Sequence, residues 1–218
     1  MMQDLKTSWK LLKYSFQFKM NIAVAIFFMV LGVMWLFLEG TRGLYIAALY
    51  VYIGPCMLVQ LTYNLLYANM ALVSPVKKAL DGTFPNVVGL LGSLLGYALA
   101  VVYMIIFSNI YPENEMSGGN MLVVIGLIML VTIIYYSVAY KWFVVSTILF
   151  CFCLAVTLAF GMALFIYSGV EISLLQGTLI GLGIVVGANL LGALIRKALY
   201  KLPNSPLAGG RSLRKAMI

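Results

Sequence analysis

Long apolar runs separated by short polar segments dominate this chain. A helix needs roughly 20 apolar residues to cross a hydrocarbon core about 30 Å thick, and six runs are long enough. None of them alternates between polar and apolar residues with the period of two that marks a strand of a membrane barrel. The pattern predicts an all-α polytopic membrane protein with six transmembrane helices in a single domain, residues 1–202. The predicted spans are residues 22–38, 44–72, 87–108, 121–140, 142–167 and 173–195.

The composition agrees with this pattern. Hydrophobic residues make up 64% of the chain and charged residues only 9%, whereas soluble domains contain about 45–50% apolar and about 25% charged residues. A soluble globule of this composition would lack the polar surface to cover its core. The three cysteines, Cys56, Cys151 and Cys153, lie inside apolar runs. They are therefore predicted to be small buried hydrophobes rather than parts of a disulfide framework.

The distribution of basic residues predicts the orientation in the membrane. With the N-terminus placed in the cytoplasm, only Arg42 of the 14 lysines and arginines falls on the outer side. Cytoplasmic loops carry such an excess of Lys and Arg. Both termini are therefore predicted to be cytoplasmic, and residues 203–218 to form a basic cytoplasmic tail. The net charge of +8 then reflects topology and does not indicate a nucleic-acid partner.

The N-terminal segment, residues 1–21, is amphipathic. At about 100° per residue its apolar side chains share one stripe, and three lysines follow the edge of that stripe. The stripe consists of Leu5, Trp9, Leu12, Phe16 and Met20, and the edge of Lys6, Lys10 and Lys13. The pattern favours a helix over residues 4–20 that lies in the cytoplasmic interface, with lysine heads towards lipid phosphates. The alternative is a simple cytoplasmic extension of the first span.

The loop between the second and third spans carries helix start and stop signals. Ser74 is suited to cap a helix and Pro75 to its first position, while Gly82 and Pro85 are suited to end it. The spacing predicts a two-turn cytoplasmic helix that carries Lys77 and Lys78. Such a helix offers a partner protein a rigid handle. The alternative is a plain linker whose lysines only follow the positive-inside tendency.

The polar residues inside the predicted spans are few and uncharged. No Asp, Glu, Lys or Arg lies clearly within a span, which disfavours a proton- or ion-coupled transporter. Gln60, Asn64 and Tyr67 fall at i, i+4 and i+7 of the second span and share one helix face. Buried amides need partners in lipid. This face is therefore predicted either to pack against another helix or to line a polar pathway.

Three GxxxG patterns indicate close helix packing. They are Gly92 with Gly96 in the third span, and Gly177 with Gly181 and Gly183 with Gly187 in the sixth. Small residues at this spacing let two helix backbones approach. Packing within one chain is favoured over dimerisation. Tyr135, Tyr136, Tyr140 and Trp142 are predicted to form an aromatic belt at the membrane interface.

Catalytic motifs are missing from the sequence. There is no histidine, no HExxH motif, no P-loop and no aspartate-rich motif for a diphosphate substrate. The chain is therefore not expected to be an enzyme or to bind a cofactor or metal itself. A lipid-modifying enzyme is disfavoured for the same reason.

The layout as a whole resembles the permease, or membrane, subunits of ABC-2-type transporters of the six-helix bacterial type. The resemblance rests on the basic N-terminal helix, the short helix between the second and third spans, the small outer loops and the basic tail. It implies a multi-pass permease in a bacterial plasma membrane, paired with a second identical or related permease. It also implies a separate ATP-binding cassette ATPase, which binds ATP and Mg²⁺.

The resemblance further implies where that ATPase docks. The corresponding segments here are Lys6 to Lys19, which includes Lys10 and Lys13, and Pro75 to Leu80, which includes Lys77 and Lys78. The expected function is that of an export permease. The alternative is a non-transporting scaffold, accessory or immunity subunit of a membrane complex. Residues 168–171 predict only a turn, where the family often has a longer re-entrant piece.

Overall fold

The protein is all-helical throughout the part of the chain that the computed structural model describes, residues 2–13, 18–39, 46–54, 57, 77–110 and 118–203. A π-helical turn, Ala79–Thr83, leads into the helix that begins at Phe84. The helices are α1 (Met2–Leu12), α2 (Phe18–Glu39), α3 (46–54), α4 (Phe84–Ile110), α5 (Gly118–Ala139), α6 (Phe143–Ser168) and α7 (Leu174–Leu199).

Four of these helices are long and apolar enough to cross a membrane. They comprise Phe18–Glu39, Phe84–Ile106, Gly118–Ala139 and Leu174–Leu199, and a shorter apolar stretch covers Phe143–Ala159 in α6. The predicted all-α fold is thereby confirmed, and these long apolar helices indicate a multi-pass membrane protein. Each of the first, third, fourth, fifth and sixth predicted spans coincides with a helix to within a few residues. Most of the second span, 44–72, lies outside the described residues, so the count of six and the orientation stay predictions.

The core of the bundle lies between α4, α5 and α7. The most extensive helix–helix contact is between α5 and α7, followed by that between α5 and α6. Large side chains at the centre are almost fully buried, because α5 is surrounded on most of its circumference. They include Tyr97, Met104, Leu122, Ile125, Met129 and Val185.

Glycines let α5 and α7 approach to backbone contact. A Cβ placed on Gly177 would lie 2.6 Å from the carbonyl carbon of Gly119 and closer still to its oxygen. One on Gly126 would lie 3.1 Å from the Cα of Gly181. The first GxxxG pattern of α7 therefore packs within the chain, as the sequence predicts.

The other two GxxxG patterns differ in their surroundings. Gly92 and Gly96 of α4 are both buried, and a Cβ on Gly96 would lie 3.3 Å from the Cε of Met129. Gly183 and Gly187 are exposed, with no atom within 4 Å of an added Cβ. The second pattern of α7 thus makes no packing contact at these positions with the described residues.

A short connection joins α6 to α7. Gly169 ends α6 with a left-handed φ of 63°, which a glycine adopts at no steric cost. Ser173 then caps α7, its side chain accepting from the backbone N–H of Gln176 while the Gln176 side chain accepts from that of Ser173. Asn120 of α5 holds this connection through both ends of its amide: Nδ2 donates to the Val170 carbonyl at 2.7 Å, and Oδ1 accepts from the Ile172 N–H at 3.1 Å. The turn expected at 168–171 is present.

The predicted N-terminal helix over residues 4–20 is shorter than expected. It ends at Leu12, and Phe18 to Met20 belong to α2. The reason is that the spanning helix α2 begins at Phe18, four residues before the continuous apolar run that starts at Ile22. Residues 14–17, including Phe16 of the predicted stripe, lie outside the described residues.

The predicted end of the loop helix at Gly82 and Pro85 is wrong. Residues 77–83 continue without interruption into α4, and the Phe84 N–H donates to the Ala79 carbonyl, five residues back. This wider turn shifts the hydrogen-bond ladder directly before Pro85, which has no N–H to donate. Ser74 and Pro75, the predicted helix start, lie outside the described residues.

The predicted burial of the cysteines is also wrong where it can be assessed. Cys151 and Cys153 are both exposed on α6. This helix packs mainly against α5, so much of its circumference faces outwards, and small apolar side chains on that face remain accessible. Cys56 lies outside the described residues.

Candidate functional site

All of the described basic residues gather at one end of the bundle. Here α1 lies, α2 and α4 begin, and α5 and α7 end, as contacts between Trp9 and Phe84 and between Tyr140 and Arg196 show. This end, called the basic end below, carries Lys6, Lys10, Lys13, Lys19, Lys77, Lys78, Lys141, Arg196, Lys197 and Lys201. Glu39, the last residue of α2, and Glu171, before α7, lie at the opposite end, whereas Asp4 of α1 and Asp81 of the π-helical turn belong to the basic end. The described basic residues therefore share one end of the bundle, and the orientation in the membrane stays a prediction.

The two segments predicted to dock a partner pack against each other at this end. The ring centroids of Trp9 in α1 and Phe84 at the start of α4 are 5.7 Å apart, with a 57° angle between the ring planes. Leu12 and Phe84 are almost fully buried together, with Leu5 and Ile22 against them. We call α1, the π-helical turn and Phe84 the α1 platform. Apolar burial makes this platform one unit.

The predicted docking residues occupy different depths of the platform. Lys6, Lys10, Lys13 and Lys78 are exposed, and Lys77 is half-buried. Leu80 is fully buried, so it supports the platform from beneath. Pro75 lies outside the described residues. The exposed lysines leave a positive outer face on which an acidic surface of a partner could dock.

The predicted pathway face cannot be placed. Gln60, Asn64 and Tyr67 lie outside the described residues. The described interior has polar contacts elsewhere, between the antiparallel helices α4 and α7. Asn189 donates through Nδ2 to the Ser93 Oγ and to the Val185 carbonyl, each at 2.8 Å.

A second interhelical contact involves the hydroxyl of Tyr97. It lies 3.1 Å from the carbonyl oxygens of both Gly177 and Thr178 in α7. The glycine at 181 makes room for this ring, since a Cβ there would overlap the tyrosine hydroxyl. The tyrosine was not singled out by the sequence, because its role depends on which helix faces it.

Two cations that the sequence places in loops are buried at the basic end. Lys141 and Arg196 are each only 5% exposed. The Lys141 Nζ donates to the Leu202 carbonyl and lies 4.7 Å from the centroid of the Tyr140 ring. Tyr140 itself is 1% exposed. Its predicted place in an aromatic belt is therefore wrong, whereas Trp142 is half exposed as a belt residue would be.

The described residues at the basic end offer positive charge and hydrogen-bonding groups. Within the described ranges no three His, Cys, Asp or Glu side chains lie close enough together to hold a metal ion. The basic end combines an exposed lysine surface with buried cations. It can bind a protein surface or an anionic group.

Comparisons with known proteins identify no relative. No protein-family model matches the chain, and neither a curated protein nor a solved structure does.

The Trp9–Phe84 contact should hold α1 in place. An aromatic pair contributes about 0.5–1.5 kcal/mol beyond its buried area, so Trp9→Ala should raise amide hydrogen exchange in α1 roughly two- to tenfold. Trp142→Ala is the matched control, because Trp142 is 53% exposed and Trp9 is 51% exposed at the same end. Equal exchange in α1 for both variants would contradict the platform as described.

Proposed function

We propose that this chain is the membrane-spanning permease subunit of an ATP-driven exporter of the ABC-2 type. The ATPase subunit, which holds ATP and Mg²⁺, docks on the α1 platform. The observation that carries this proposal is the packing of α1 on the π-helical turn and Phe84. It joins two docking segments that are about 70 residues apart in sequence into one positively charged surface.

The platform is connected directly to the interior of the bundle. The π-helical turn continues into α4, and α4 packs against α7 through the contacts of Asn189 and Tyr97. A displacement of the platform by the ATPase would therefore move the basic end of α4 against α7. In this mechanism the permease changes conformation, and the partner supplies the chemical energy.

A second permease copy would pack on the outward face of α7. Gly183 and Gly187 leave a shallow strip on that face, free of described contacts. Exposed Leu179, Leu190 and Leu194 flank it. Such a face suits a close helix–helix contact in lipid.

The alternative function is that of a non-transporting scaffold or accessory subunit. The backbone contacts between α5 and α7 favour it, because helices that interlock at Gly119 and Gly177 resist the separation that opening a pathway requires. In that case the α1 platform would anchor a partner without transmitting motion.

Co-purification tests the proposal. The tagged full-length chain, extracted in mild detergent, should retain a nucleotide-binding subunit, and the complex should hydrolyse ATP. The double substitution Lys77→Glu and Lys78→Glu reverses the charge beside the π-helical turn and should reduce retention of that subunit at least tenfold. Lys197→Glu with Lys201→Glu is the matched control, since both lysines are exposed at the same end but lie after α7.

The outcomes separate the two functions. Loss of the ATPase subunit on substitution of Lys77 and Lys78, but not of Lys197 and Lys201, supports the permease function and locates the docking surface. A chain that purifies alone, or with a partner that has no ATPase activity, contradicts the permease and supports the scaffold.

A further inference from the structure

Two buried atoms at the basic end are hydrogen-bonding groups of opposite kind, and neither has a partner among the described residues. One is the Oδ1 of Asn86, an acceptor near the start of α4. The other is the Nε of Arg196, a donor near the end of α7. A buried polar atom without a partner destabilises a fold. An acceptor and a donor that lie opposite each other would therefore gain by pairing.

The register of α4 against α7 places these two residues opposite each other. The helices run antiparallel, and the Asn189 Nδ2 donates to the Ser93 Oγ at 2.8 Å across their boundary. Asn86 precedes Ser93 by seven residues, and Arg196 follows Asn189 by seven. Seven residues make about two helical turns, so Asn86 and Arg196 lie on the facing sides of the two helices and at the same level.

Two further contacts support this alignment. A Cβ placed on Gly89, one turn after Asn86, would lie 3.7 Å from the Asn189 Oδ1. The end of α7 also lies beside the π-helical turn that leads into α4. Asn86 therefore belongs to the face of α4 that packs against α7.

The guanidinium of Arg196 is directed towards α5 in the structure. Its Nη2 lies 3.6 Å from the place that a Cβ would take on Gly192, and the Ser137 Oγ of α5 lies 2.6 Å from the same place. An arginine side chain has several rotatable bonds and many rotamers. It can therefore turn from α5 towards α4 when the basic ends of α4 and α7 approach each other.

The π-helical turn supplies the freedom for such an approach. It ends three residues before Asn86, and π-helical turns are rare and frequently lie at functional sites. Conversion of this turn to α-helical hydrogen bonding would rotate and shift the start of α4. Because α1 packs against the same turn, a movement of the α1 platform is transmitted through it to Asn86.

We propose that Asn86 and Arg196 form a latch at the basic end, in which the Arg196 Nε–H donates to the Asn86 Oδ1 and closes α4 on α7. The structure holds the open arrangement. The latch lies within the bundle, so its test uses the chain alone. Its use by an ATPase docked on the α1 platform rests on the proposed function, which co-purification tests separately.

Thermal unfolding of the full-length chain in mild detergent tests the latch through Asn86→Asp. A carboxylate in place of the amide would pair with the guanidinium, which is already buried in the wild type, so the Tm should rise by roughly 2–4 °C. In the Arg196→Gln background the same carboxylate is buried without its cation, and the Tm should fall. The expected result is this reversal of sign.

Asn21→Asp is the matched control. Asn21 is buried at the same end, and its Nδ2 has no partner in the described part of the chain, but the residue belongs to α2. This substitution should lower the Tm whether residue 196 is arginine or glutamine. Amide exchange gives a second readout, because Asn86→Asp should slow exchange over residues 79–86 about two- to tenfold, whereas Asn21→Asp should not.

Two results would overturn the proposal. The first is an equal effect of Asn86→Asp on the Tm in the wild-type and Arg196→Gln backgrounds. The second is a Tm at or below that of the wild type for Asn86→Asp, with unchanged exchange over residues 79–86. If Arg196→Gln does not fold, Arg196→Lys replaces it, since lysine keeps the charge but lacks the guanidinium fork. The gain from Asn86→Asp should then fall to less than about half, and an undiminished gain would equally contradict the latch.

Discussion

Gly177→Ala is expected to lower the Tm by roughly 5–10 °C. The added methyl group would meet the backbone of Gly119 in α5, 2.6 Å from its carbonyl carbon, and backbone cannot rotate away as a side chain can. Overpacking costs about 1–3 kcal/mol, and about 1 kcal/mol shifts the Tm of a chain of this size by about 2–4 °C. The free-energy cost should lie at or above the upper end of the 1–3 kcal/mol range, because α5 and α7 must separate as whole helices to make room for the methyl group.

Gly183→Ala on the same helix is the matched control. An added Cβ there meets nothing within 4 Å, and alanine is up to about 1 kcal/mol more favourable than glycine in a helix interior. This substitution should leave the Tm unchanged or raise it slightly. Similar losses for both variants would mean that α5 and α7 do not meet along the face described. Scanning fluorimetry on detergent-solubilised protein measures both.

Asn120→Ala should destabilise the end of the bundle opposite the basic end by about 2–4 kcal/mol. It removes two hydrogen bonds from a buried position, and each loss costs about 1–3 kcal/mol. One bond holds the Val170 carbonyl and the other the Ile172 N–H. Amide exchange in the connection between α6 and α7 should rise before that of the helices. The loss of stability is thus expected first in the connection between α6 and α7, which Asn120 holds by hydrogen bonds.

Asn109→Ala separates this effect from the general cost of losing an amide. The Asn109 side chain is exposed and, among the described residues, donates to the carbonyl of Ile105 in its own helix, at 2.7 Å. Its removal should lower the free energy of unfolding by less than about 1 kcal/mol. If the two asparagine variants unfold alike, the connection is not held by Asn120.

Helix positions could be predicted from sequence because apolar runs of this length have few alternatives. The runs 87–108 and 121–140 correspond to α4 and α5 with only small shifts at their ends. The turn at 168–171 was also predictable, since Gly169 suits a left-handed helix end. The capping pair Ser173 and Gln176 likewise has the spacing S-x-x-Q of a capping box, which can be read from the sequence.

Features that depend on neighbouring helices could not be predicted in the same way. Gly82 and Pro85 look like stop signals locally, yet the π-helical turn carries the chain past them because Phe84 and Leu80 are buried there. Arg196 and Lys141 appear as loop cations in the sequence. Their burial follows from the close approach of α5 and α7, which periodicity within one helix does not reveal. The platform arises likewise from a contact between segments far apart in sequence.

The unequal burial of the spanning helices has a consequence for how each tolerates mutation. Within its most apolar window, α2 is only 17% buried, whereas α5 is 61% buried. A position on α2 is therefore constrained chiefly by solubility in lipid, and one aliphatic residue can replace another there. A position on α5 must also fit a fixed volume and shape. Under random substitution, α2 should thus drift freely among apolar residues, while α5 keeps the particular sizes it has now.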